Sequence, residues 1–154
     1  MDARELKTLI QCIVEMACEL KNKYTTEKKA SVNYACLFSK NNREYSDLLQ
    51  AAKRLGEIIK ETPTGPVFLI TSLDTVSGKL RLLKIRLPDK ARPERGDADF
   101  TASNYHEFKK KHLSRKGFKL IQRENFEMIE LMENGCNVRV YFSHPTLEKQ
   151  LGLR

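Results

Sequence analysis

The chain states one pattern twice, and that most narrows what it can fold into. Val32–Ser39 reads as a strand, Asn42–Leu55 as a helix, and Gly56–Thr62, Pro66–Ser72 and Lys79–Leu87 as three further strands. Asp97–Ala102, Tyr105–Ser114, Gly117–Arg123, Phe126–Glu133 and Asn137–Ser143 take the same roles in the same order. The helix-ending glycines Gly56 and Gly117 are 61 residues apart, as are Val67 and Met128 in matching strands. Two βαβββ modules, 32–88 and 97–145, imply two curved half-sheets that build one cup. The predicted fold is α+β: a curved, mostly antiparallel sheet of eight strands with helices on the outside.

A chain of 154 residues is read as a single domain, 1–154. An added N-terminal helix precedes the modules, at 2–22. Leu6, Leu9, Ile10, Ile13, Val14, Ala17 and Leu20 recur at helical spacing, and Asp2 with Glu5 has the form of a capping box. The turn Thr62-Pro63-Thr64-Gly65-Pro66 separates two strands, and Lys90–Gly96 links the modules.

Composition excludes several functions. No run reaches the roughly 18 apolar residues of a membrane span, and the charged N-terminus is no signal peptide, so a cytoplasmic protein is expected. The four cysteines form no C-x-x-C pair and have no histidine at zinc-finger spacing; free thiols and no cofactor are expected. The net charge of +8 is spread along the chain, without a helix-turn-helix, zinc knuckle or aromatic-interleaved basic stretch. Nucleic acid is therefore not the expected partner, although a basic interaction module for nucleic acid or an acidic protein stays as an alternative. His106 and His112 lie on different faces of one helix, and His144 follows the last strand. No Ser-His-Asp or Cys-His set and no phosphate-cradling glycine loop can be argued.

Period-two alternation assigns the strand faces. Tyr34, Cys36, Phe38, Leu83, Ile85, Ala98, Phe100, Val138, Val140 and Phe142 are expected against the helices. The cup then holds Asn33, Lys84, Arg86, Asp97, Asp99, Arg139, Tyr141 and Ser143. Burying unpaired ions costs several kcal/mol, so these charges must pair, stay wet or hold a ligand. Arg86 with Asp99 is the expected internal pair. Lys84, Arg86 and Arg139 outnumber Asp97 and Asp99 by one, which a small anion would balance.

The segment Lys84-Ile85-Arg86-Leu87-Pro88-Asp89, followed by Arg92-Pro93-Glu94-Arg95-Gly96-Asp97-Ala98-Asp99-Phe100, resembles the YecM-type subgroup of the vicinal-oxygen-chelate superfamily (glyoxalase and bleomycin-resistance-like proteins). The resemblance covers roughly residues 30–145. It implies a metal held by one residue on each module's first strand and one on its last. Those positions fall on Asn33, Arg86 and Asp99, with the fourth near Arg139 or Tyr141. A guanidinium has donors only and repels a cation, so no metal is expected.

The leading expectation is a binding protein for a small anionic molecule, with Asn33, Lys84, Arg86, Asp99, Arg139 and Tyr141 as ligand-binding residues. The alternative within the same superfamily is a divalent-metal isomerase, lyase or dioxygenase. Whether the protein is an enzyme, and whether it forms a homodimer, stay open at this stage.

Overall fold

The computed structural model describes residues 1–153. The elements run α1 (Ala3–Tyr24), β1 (Val32–Phe38), α2 (Asn42–Lys53), β2 (Gly56–Lys60), β3 (Val67–Thr75) and β4 (Gly78–Arg86). The second module follows as β5 (Gly96–Phe100), α3 (Tyr105–His112), β6 (Phe118–Gln122), β7 (Glu127–Leu131) and β8 (Val138–His144), and then α4 (Leu147–Gln150). One sheet takes all eight strands in the order β2-β3-β4-β1-β5-β8-β7-β6. β1 and β5 meet antiparallel at its centre, β1–β4 and β5–β8 are parallel, and the other neighbours are antiparallel. Each module thus places its first and last strands side by side, and β2 and β6 end an open, curved sheet. The doubled α+β pattern is the observed architecture.

α1 is the main helical cover. Asp2 caps it by accepting the Glu5 N–H at 2.8 Å, while the Glu5 carboxylate reaches back to the Asp2 N–H at 3.4 Å. Its stripe of Leu6, Ile10, Ile13, Val14, Ala17 and Leu20 is buried against β1, β3, β5 and β8. Each large aliphatic side chain so buried contributes about 1.5–3 kcal/mol. The helix lies close to the sheet because the residues beneath it are small. A Cβ on Gly96 would stand 2.3 Å from the Cys36 carbonyl oxygen and 2.9 Å from Ile13 Cδ1, and Ala35 and Ala98 are the buried neighbours there. No helix among the described residues is long and apolar enough to cross a membrane.

β1 departs from the expected alternation. Its pairing with β5 runs Val32↔Phe100 and then Tyr34↔Asp99, so Asn33 is an extra residue in a bulge. The bulge resets the faces: Val32, Ala35 and Leu37 join the helix-side core, while Tyr34 and Cys36 look into the cup. Simple alternation puts Tyr34, Cys36 and Phe38 under the helices, but Phe38 too is absent from that core and lies beneath Arg92. Because both faces of this central strand are apolar, hydrophobicity could not correct the count. Elsewhere the alternation holds: Leu83, Ile85, Ala98, Phe100, Val138, Val140 and Phe142 lie in the helix-side core.

α4 is capped by Thr146, is tied to β4 by Arg81 Nη2–Glu148 at 3.1 Å, and brings Leu147 and Gln150 to the cup. Among the described residues it is the one helix that lines the cup.

Candidate functional site

Strand register builds the floor of the cup in rows. Val67, Lys84, Cys36, Asp97 and Arg139 lie directly across from one another on β3, β4, β1, β5 and β8. Two residues along, Tyr34, Asp99, Tyr141 and Glu130 form the next row on β1, β5, β8 and β7. Above the floor is a cavity of about 370 Å³. Val67, Ile121, Phe126, Met128 and Leu147 give it an apolar wall. Its charged lining is Lys60, Lys84, Arg86, Arg92 and Arg123 against Asp97 and Asp99. A cleft of this size that sets convergent polar groups against an apolar wall can take a small molecule.

Three of the five cations gather, Lys84 and Arg86 at Thr64 and Arg86 and Arg92 at Asp89. Thr64 Oγ1 accepts Lys84 Nζ at 2.6 Å and Arg86 Nη1 at 3.4 Å. Thr64 is held there by its loop, where Gly65 has φ +135° and passes so close to β4 that a Cβ would lie 2.0 Å from the Ile85 carbonyl oxygen. Arg86 also reaches Asp89 at 3.6 Å, but its buried Nε has no partner. Arg92 lies over the Phe38 ring at 5.5 Å and reaches the Tyr141 hydroxyl at 3.4 Å. Burial lowers the Lys84 pKa from its ordinary value.

The two carboxylates differ. Asp99 is saturated: it accepts from the Ser143 hydroxyl, from the Ser143 N–H at 3.2 Å and from Asn33 Nδ2 at 3.2 Å. Burial raises its pKa to about 6, with those bonds pulling the other way. Asp97 is only 8% exposed and takes no hydrogen bond or ion pair from any described residue. Burial raises its pKa to about 7; Arg92 opposes the rise and Asp99 adds to it. A strongly shifted carboxylate in a cleft is a functional-site signal.

Of the sequence-predicted residues, Lys84, Arg86, Asp99 and Tyr141 line this one cavity. Arg86 and Asp99 share it without pairing, since Asp89 and Ser143 hold them instead. Asn33 stands behind the floor, bound to Asp99 and to Thr101 Oγ1. Arg139 is in register with the floor, yet its guanidinium turns away to Glu94, Glu130 and the Ala91 carbonyl. Tyr141 donates to the same Glu130 at 2.6 Å. Arg139 is therefore a structural ion pair and no part of the cavity lining.

Arg92 takes the place expected of Arg139. The linker reading hid it: the 88–95 connection folds back over the sheet, Arg95 bonding Glu44 at 2.6 Å and Glu94 bonding Arg139. The alternating charges of Arg92-Pro93-Glu94-Arg95 were the available signal. Asp97 sits on the expected face, but its lack of partners is a tertiary fact. Among the described residues, no three His, Cys, Asp or Glu side chains group as a metal site requires.

The structural-genomics protein EC4020 has a similar fold, with a TM-score of 0.74 over 97% of this chain and 91% of that one, at 10% sequence identity. At that identity the likeness concerns the fold alone. No protein-family model matches the chain, and no curated protein matches it in sequence.

Proposed function

We propose that the protein binds a small anionic molecule in the cup, in a vicinal-oxygen-chelate architecture of the YecM type whose metal site has degenerated. The observation that carries this reading is the charge imbalance of one cavity: five cations face two carboxylates, and Asp99 is already occupied. Lys84, Arg86 and Arg92 would hold the anionic group, with the arginine fork suited to two parallel bonds. The apolar wall of Ile121, Phe126, Met128 and Leu147 would take the organic part of the ligand.

The donor set argues against a divalent ion. Arg86 cannot ligate, Asp99 gives its oxygens to Ser143 and Asn33, and Arg139 is engaged with Glu94 and Glu130.

A thermal-shift panel of small carboxylates and phosphates tests the reading. Ligands should raise Tm by mass action, and Arg86→Ala should abolish the rise. A flat response across the panel would remove the proposal.

A further inference from the structure

We propose that Asp97 makes the cavity selective for oxyanions that bring a hydrogen of their own, such as a hydrogen phosphate or a 2-hydroxycarboxylate, by accepting that hydrogen while the surrounding cations hold the charge. The inference rests on the anion-site reading and sharpens it to a ligand class.

Asp97 lies at the centre of the floor, more than nine-tenths buried, with no donor supplied by any described residue. Every donor around it points elsewhere. On β4, Lys84 donates to Thr64, and Arg86 donates to Thr64 and pairs ionically with Asp89. Arg92, from the linker, serves Tyr141 and Asp89. On β8, Arg139 serves Glu94 and Glu130, and Tyr141 donates to Glu130. On β1, Cys36 Sγ turns to the Leu37 carbonyl, and Tyr34 lies in the adjoining row. On β5 itself, Asp99 is another acceptor. The lone pairs of Asp97 are thus presented to the cavity, beside cations that attract an anion.

An ionised carboxylate only accepts hydrogen bonds. A fully deprotonated anion drawn to those cations sets oxygen against oxygen at Asp97, and a buried mismatch of this kind is unfavourable. An anion with an O–H donates to Asp97 and satisfies both requirements. An anion without one must bring in a proton for Asp97. Burial of Asp97 already favours the protonated acid near neutral pH, so this second route opens as pH falls.

Isothermal titration of the full chain with inorganic phosphate and with sulfate, at pH 8 and pH 6, tests the inference. At pH 8 phosphate should bind roughly tenfold tighter or more. Sulfate affinity should strengthen toward pH 6, by up to about tenfold per pH unit where one proton is taken up. Asp97→Asn should erase the preference at pH 8 and the pH dependence for sulfate, because an amide donates to either anion. Glycolate against acetate repeats the comparison and separates a hydroxycarboxylate ligand from a phosphoryl one. Equal affinities in the wild-type protein at pH 8, or a preference that survives Asp97→Asn, would overturn the role of Asp97. Failure of all four anions to bind would instead overturn the anion site itself. The wild-type pH comparison decides the matter even where the variant folds poorly.

Discussion

Arg86 reaches Asp89, three residues further along the chain, at 3.6 Å, and leaves Asp99 across the floor to Ser143. Two charges that sequence pairing joins are thereby kept apart on one cavity. The guanidinium keeps a buried Nε without a partner. The floor is therefore an unevenly satisfied polar surface, the kind a ligand completes. Each consequence can be measured.

Asp97 lowers stability at neutral pH. Its folded pKa, about 7, lies above the ordinary carboxylate value of 3.8. The native state therefore binds the proton more tightly than the unfolded chain does. The contribution is fully present below about pH 4 and is lost as pH rises through about 7. Asp97→Asn should stabilise the protein by on the order of 2 kcal/mol at pH 8, about 4–8 °C in Tm, and by little at pH 4. Thermal melts of both proteins from pH 4 to pH 8 check this. A variant that is less stable at every pH would contradict it.

Lys21 holds the connection after α1. It is fully buried, donates to the Glu27 carbonyl at 2.6 Å, the Lys28 carbonyl at 3.3 Å and Asn22 Oδ1 at 3.0 Å, and lies 5.0 Å from the Phe100 ring centroid. Lys21→Met keeps the stem and orphans two carbonyls. We expect a loss of roughly 3 kcal/mol in urea unfolding. A change below about 0.5 kcal/mol would show that water replaces the ammonium without cost.

Gly65 links loop geometry to the site. Its φ of +135° and the 2.0 Å approach to the Ile85 carbonyl leave no room for a side chain. Gly65→Ala should cost about 2 kcal/mol or more and shift Thr64 away from Lys84 and Arg86. Anion-induced stabilisation should fall by a larger fraction than the same loss of stability brings to a distant variant such as Lys21→Met. Unchanged anion response in a destabilised Gly65→Ala protein would detach the loop from the site.

Much of this was legible in the residues. The doubled order of elements, the stripe of α1 and the faces of β4, β5 and β8 follow from periodicity, because those strands have one polar and one apolar face. β1 was not legible in this way. Its bulge at Asn33 shifts the count by one residue, and a strand with two apolar faces offers no check. Arg92 and Arg139 exchanged roles because the path of a charged linker is set by tertiary ion pairs. α4 was missed because four residues of helix leave little periodic signal, and its place on the cup depends on Arg81 and on Leu147 packing at the wall.

The most direct test is a crystal structure of the protein grown with bromide at pH 6 or below, where Asp97 carries its proton, and examined by anomalous diffraction. A bromide peak inside the cup, within contact distance of the Arg86 guanidinium and Lys84 Nζ, is the predicted result. Bromide found only at surface lysines, with the cup holding water alone, would contradict the account.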